Sequence, residues 1–228
     1  MSYTKEIFEN FFNNPINHIK NETMQNNDCS ALLERINNLM SVRDEFISKD
    51  EECGTLWNEI CIDALSAINS AFSGFYRTAI IDLRSIFEMG CNSLYYYDHK
   101  IEYYMFKNEN AKADKYVSVL VNEHDFYKTK YIKSFKSGYE SMLVEEDCVS
   151  KYLSKLYGEL SDVVHGRYNR LINIQTYEVK YRIDEYKQFE KLFLKTIDIM
   201  LVMAILRLDI SIENENEIFK NTGVIKYE

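Results

Sequence analysis

Proline occurs once in this 228-residue chain and glycine seven times, so tight turns and hairpins have little to be built from. The five cysteines (Cys29, Cys53, Cys61, Cys91 and Cys148) are odd in number and far apart, with no CxxC pair and no histidine at ligand spacing. That excludes a disulfide framework and a structural zinc site, and it points to a reducing, cytoplasmic setting. No apolar run approaches the roughly 20 residues of a membrane span. The longest, IMLVMAIL from Ile199 to Leu206, is bracketed by Asp198 and Arg207 and reads as a buried helix centre. The opening MSYTKEIFENFF has neither the basic start nor the apolar stretch of a signal peptide. Positive charge is in deficit: the net charge is -9 and the pI near 5.1, so the chain as a whole repels nucleic acid and anionic membrane. Any nucleic-acid site must be a local patch. A glycine-rich phosphate loop, an HExxH motif and a Ser/His/Asp context are all missing, and Asp82, Asp98 and Asp162 do not converge at a metal-binding spacing. No metal or other cofactor is expected.

What is present is helical period. With 46% apolar residues and so few turn formers, the chain reads as all-α, a single-domain helical bundle with a long C-terminal helix. Residues 1–50 form an N-terminal helical region packed on the bundle, with one helix over about 3–20 interrupted at Pro15 and another over about 30–49 capped by Asp28 or Ser30. The bundle proper spans 51–210. Its pattern breaks at Gly54, resumes over about 56–71, passes a connection near Gly74 and continues as a strong helix over about 76–97, ending in the partly buried Tyr95 to Tyr97. One or two shorter outer helices fall between His99 and Tyr139. A helix capped by Asp147 carries Val149, Leu153, Leu156, Leu160, Val163 and Val164 at helical spacing and ends at Gly166. A linker leads to the long helix, about 177–209, and residues 211–228 follow as a polar tail.

Three stretches could carry chemistry. In SDVVHGRYNR, His165 stands in the last turn of its helix, where the macrodipole favours imidazolium, with Arg167 and Arg170 directly behind it. Histidine is suited to acid-base work near pH 7, and a guanidinium grips phosphate in two places. Together, without metal ligands, they are the minimum set for metal-independent RNA cleavage, in which the 2′-hydroxyl supplies the nucleophile. The same histidine can instead satisfy the last carbonyls of its helix. Ser154, Gly158 and Ser161 line one edge of this helix, and the mid-helix Gly158 asks for a close neighbour, either a second helix or a ligand. In TAIIDLRSIFEMG, Arg77, Arg84, Glu88 and Tyr95 border an apolar face, and Arg84 and Glu88 are four residues apart. Their pairing either fixes helix register or prepares Arg84 to share an anion with His165. In HDFYKTKYIKSFKSGY, Lys128, Lys130, Lys133 and Lys136 interleave with Tyr127, Tyr131, Phe135 and Tyr139, which suits either a nucleic-acid track with Tyr131 as a stacking ring or an amphipathic helix with a solvated lysine face.

The pacing of Arg84, Ser85 and Glu88, followed by the Tyr157 to Gly166 stretch YGELSDVVHG, resembles helical bacterial proteins of the HEPN superfamily over about Leu56 to Gly166. The resemblance implies a four- to six-helix bundle that often dimerises, and a metal-independent ribonuclease acting as a toxin or antiviral effector. The implied partners are RNA, a regulatory or antitoxin protein and a second copy of the chain. Active members carry an arginine, a polar residue beside it and a histidine four to six residues further on. None of His18, His99, His124 or His165 has such an arginine ahead of it. The expected centre is therefore composite, with His165 as acid or base, Arg84 and Arg167 on the phosphate, Glu88 orienting an arginine, and Arg170, Lys128, Lys130, Lys133, Lys136 and Tyr131 holding RNA. The alternative is a non-catalytic helical module that dimerises or binds a partner protein or nucleotide.

Overall fold

The computed structural model describes residues 4–108, 117–164 and 179–227. They form an all-helical bundle, and among them there is no strand, only an isolated antiparallel bridge between Leu143 and Ile225. The helices are α1 (Lys5–Phe8), α2 (Asn14–Asn26), α3 (Ser30–Lys49), α4 (Glu51–Phe72), α5 (Tyr76–Asp98), α6 (Lys100–Asn108), α7 (Val117–Glu123), α8 (Thr129–Lys133), α9 (Cys148–Val164), α10 (Ile183–Leu208) and α11 (Glu215–Thr222). Their axis is α10, whose residues from Thr196 to Leu206 are all buried, including the whole of IMLVMAIL. Around it, α4 packs on α3 and α5, and α5 also packs on α9 and α10. None of the helices is long and apolar enough to cross a membrane.

Several local features differ from the sequence expectation, each for a physical reason. Pro15 does not interrupt its helix. A π turn over Glu9–Asn13 comes directly before it, and Pro15 occupies the first turn of α2, where a missing N–H costs nothing. The α3–α4 break falls at Asp50 rather than Gly54, because the Asp50 carboxylate accepts a hydrogen bond from the Cys53 amide (3.2 Å) and starts the new helix. Gly54 is instead a contact point: a side chain there would begin 2.7 Å from the Ile47 backbone, so glycine lets α3 and α4 turn back on each other closely.

The Asp147 carboxylate does not cap its own helix. It accepts from the Thr129 amide at the start of α8 (2.8 Å), while the Thr129 hydroxyl accepts from the Asp147 amide (2.9 Å). Residues 213–227 are not a solvated tail either. Ile218, Phe219, Val224 and Ile225 are buried, and backbone hydrogen bonds Val144 N–Val224 O (3.1 Å) and Lys226 N–Met142 O (2.8 Å) clasp the segment to residues 142–144. The polar letters of ENENE hid an amphipathic turn of helix. All five cysteines are free.

Candidate functional site

Along α5, Arg77 and Arg84 are seven residues apart and project from the same side of the helix toward α9. Arg77 donates from Nη2 to the carbonyl oxygen of Val164 (3.2 Å), the last described residue of α9. One helical turn back along α9, Arg84 donates from Nη1 to Ser161 Oγ (2.9 Å) and from Nη2 to Tyr157 Oη (2.9 Å). Its Nε and Nη2 also meet Glu88 Oε1 at 3.0 and 2.9 Å, so the four-residue spacing forms the expected pair. The guanidinium carbon stands 4.8 Å from the centre of the Tyr157 ring. Ser161 in turn donates to the Tyr157 carbonyl (2.6 Å), which fixes its lone pairs toward Arg84. The Arg84 side chain keeps 14% of its surface in solvent, and that of Glu88 keeps 38%.

Beside this cluster no described residue covers the outer edge of α9: at Gly158 none of them comes within 4 Å of the place where a side chain would start. Among the described residues nothing bars a chain or ligand from the α9 backbone next to Ser161 and Arg84. The chain runs from Val164 directly into His165, Gly166 and Arg167. His165, Arg167 and Arg170 lie outside the described residues. Among the described residues the site brings together Arg84, Glu88 and Ser161, joined by Arg77 and Tyr157. The role of Tyr157 was missed by sequence reasoning, although its place four residues before Ser161 puts it on the same border of the helix.

Lys128, Lys130, Lys133, Lys136 and Tyr131 fall elsewhere. Only Thr129–Lys133 of their segment is α-helical, and Phe126, Tyr127, Ile132 and Tyr139 are buried. Tyr131 is packed among Phe126, Tyr127 and Phe135 and donates its hydroxyl to Asp98 Oδ2 (2.7 Å), so its ring faces belong to the protein core. Burial first, and Asp98 second, push the pKa of Tyr131 far up. Lys128 pairs with Asp125 (2.8 Å) and Lys136 with Asp209 (2.5 Å), while Lys130 and Lys133 are exposed. The other three histidines differ in setting: His18 and His124 are exposed, and His99 stacks on Tyr95 at 3.9 Å. No group of histidine, cysteine and carboxylate side chains that could hold a metal occurs among the described residues.

A second polar cluster, unforeseen from the sequence, lies on the far side of α10. Arg35 of α3 is fully buried and donates from Nε to Asp198 Oδ1 (2.7 Å), from Nη2 to Glu217 Oε1 (2.9 Å) and from Nη1 to Glu34 Oε1 (2.5 Å). Asn221 donates to the other oxygen of Asp198 (3.1 Å). Burial raises the pKa of Asp198 against the pull of Arg35; burial also works against the charge on Arg35, but its hydrogen bonds to Asp198 and Glu217 hold its pKa above the ordinary value. A carboxylate in front of IMLVMAIL was the available signal, since such a group must find a partner once its helix is buried.

No protein-family model, curated protein or solved structure matches the chain.

Proposed function

We propose that the α5–α9 junction is the phosphate-binding side of a HEPN-like, metal-independent RNA-cleaving centre, used in bacterial toxin action or antiviral defence. The observation that supports this reading most is that two guanidiniums from α5, Arg77 and Arg84, reach the last two turns of α9 immediately before His165 in the chain. In this reading His165 takes the proton of the 2′-hydroxyl or returns one to the departing 5′-oxygen, and the 2′-oxygen attacks phosphorus to leave a cyclic phosphate. Arg84 and Arg167 bear the charge on the phosphate oxygens, and Glu88 holds the Arg84 plane in place. The open edge at Gly158 admits the RNA backbone, and Arg170 with the exposed Lys130 and Lys133 offsets the acidic remainder of the chain.

A second reading has its own support. Arg84 makes its contacts to Glu88, Ser161 and Tyr157 inside the protein, as an arginine does when it locks two helices together. The chain is then a non-catalytic helical module that binds a partner protein or nucleotide. Incubating the protein with total RNA and tRNA in EDTA separates the two. Cleavage by the wild type that is lost in folded His165→Ala and reduced in Arg84→Ala supports the first reading. No cleavage by the wild type, with Arg84→Ala and His165→Ala altering only the melting temperature, supports the second.

A further inference from the structure

At the start of α4 a thiol and an amine are held against each other. Cys53 lies in the first turn of α4, behind the Asp50 cap, and is fully buried. Lys100, the first residue of α6, donates from Nζ to Cys53 Sγ (3.1 Å). The amine is fixed from other sides as well: it pairs with the Asp50 carboxylate and stands 5.3 and 5.8 Å from the centres of the Tyr97 and Tyr103 rings. Tyr103 donates its hydroxyl to the Glu52 carbonyl (3.0 Å) and Lys107 pairs with the Glu52 carboxylate (2.7 Å), so α6 is docked on the first turn of α4 at several points. Cys29 and Cys148 meet oxygen instead, the Tyr186 hydroxyl (3.4 Å) and the Val224 carbonyl (3.2 Å). An amine beside sulfur differs from these in kind, because its nitrogen is a nucleophile once it has lost a proton.

We propose that Cys53 and Lys100 form an oxidative modification site, at which hydrogen peroxide joins sulfur to nitrogen as a sulfenamide and staples α6 to the start of α4. A sulfenic acid condenses with a nitrogen that lies within reach, and here the nitrogen is already in contact. In the first step the thiol proton passes to the amine, and the sulfur attacks one oxygen of the peroxide. The O–O bond breaks, the sulfur loses two electrons to the departing oxygen, and that oxygen takes the proton back and leaves as water. In the second step the amine lone pair attacks the S–OH sulfur, the S–O bond breaks, and the hydroxide leaves with an amine proton as a second water. Burial pushes the Cys53 thiol up to about 11 and pulls the Lys100 amine down, so both lean toward the uncharged forms that the condensation uses. The same shift keeps the sulfur slow toward oxidant until peroxide is plentiful. Lys100 keeps 43% of its side chain in solvent while touching the sulfur, and the path past its amine brings a molecule little larger than water to Cys53. The pair lies beyond the C-terminal end of α5, whereas Arg77 and Arg84 are in the first half of that helix, and the inference stands whether or not the α5–α9 site cleaves RNA.

Peroxide treatment of the full chain, followed by trypsin and mass spectrometry, tests it. The wild type is expected to yield the Cys53 peptide joined to a peptide uncut at Lys100, lighter than the two together by two hydrogen atoms, and dithiothreitol should part them. Fragment ions should place the bond on Lys100, which separates it from a disulfide to Cys91 in the same tryptic peptide. Cys53→Ala should lose the link. So should Lys100→Arg, which keeps a cation beside Asp50 and an unchanged helical spectrum but has no amine. Because the link closes 47 positions of chain, the oxidised protein should melt about 10 °C above the same sample after dithiothreitol. Met24 and Met105, 53% and 44% exposed, gauge the dose. A dose that converts both to sulfoxide yet leaves Lys100 free, whether Cys53 is untouched or carried on to sulfinic acid, overturns the inference. So does a link that persists in Lys100→Arg, or one that leaves the melting temperature unmoved.

Discussion

Arg35 and Arg84 both join helices that are distant in sequence, Arg35 through the carboxylates of Asp198 and Glu217 and Arg84 through the hydroxyls of Ser161 and Tyr157, yet they sit in different environments. The Arg35 side chain has no surface in solvent and Asp198 is buried with it between α3, α10 and α11, while Glu217 reaches from this cluster to the surface. Arg84 lies in a seam that reaches the surface: its side chain keeps 14% of its surface in solvent, a tyrosine ring backs it, and no described residue covers the neighbouring edge of α9 at Gly158. A guanidinium with none of its own surface in solvent, and every nitrogen held by a carboxylate, serves to hold the fold together. A charge at an open seam can also meet a ligand, since a phosphate oxygen can replace a solvated carboxylate at little desolvation cost.

The largest test of the sealed side is alkaline pH. Burial, as the main cause, raises the pKa values of Tyr127, Tyr131, Tyr139, Tyr152 and Tyr186. Below pH 10 folded and unfolded chains both keep these protons, and the stability tied to them is whole. Above it the unfolded tyrosines ionise and the folded ones do not, so stability falls by about 1.4 kcal/mol per such tyrosine for each pH unit. Unfolding should therefore set in between about pH 10 and 12, with a cooperative rise in tyrosinate absorbance. A gradual titration of every tyrosine with no loss of helix would show that the core is not sealed.

Next in size is Arg35→Ala, which strands Asp198 and should lower stability in urea by about 3–5 kcal/mol. Replacing both partners, Arg35→Met with Asp198→Leu, should recover most of that loss. Arg84→Ala should lower stability by only about 1–3 kcal/mol, through the hydrogen bonds it leaves unmade. If the seam binds a scissile phosphate, the same variant loses cleavage by about 100-fold or more, measured on RNA in EDTA. A loss from Arg84→Ala as large as that from Arg35→Ala, with no change in activity, would erase the distinction between the two sites. The smallest expected effect has the opposite sign. Gly158→Ala fills open space on a helix and should stabilise the chain by about 0.5–1 kcal/mol, while Gly54→Ala, which meets the Ile47 backbone, should destabilise it.

The helices were legible wherever apolar period and length reinforced each other. The period from Val149 to Val164, the run from Ile199 to Leu206 and the Arg84–Glu88 pair appear in the structure as the sequence suggests. What escaped is whatever depends on a distant partner. Asp147 has the residue type of a cap but serves α8, since Thr129 is brought to it by packing rather than by sequence. Gly54 carries the mark of a break, yet its bareness is used by Ile47 across a helix pair. Ile218 and Phe219 were outvoted by their acidic neighbours, because a segment of eight residues gives too short a period to stand out. Half of the candidate site was legible for the same reason that Arg84 and Glu88 pair locally. Tyr157 became part of it only when α9 came to rest on α5.

The clasp between residues 142–144 and 224–226 has a consequence for synthesis of the chain. Arg35 meets Glu217, Asn38 donates to the Glu213 carbonyl, Asp198 meets Asn221, and Leu143 pairs with Ile225. Every one of these bonds waits for residues made after position 210. A nascent chain halted before them holds α3 and α10 with a buried cation and carboxylate short of their complement, and it leaves the flank of residues 142–144 bare. The bundle thus closes only once residues 213–226 are in place, because Arg35, Asn38, Asp198 and Leu143 all find partners among them.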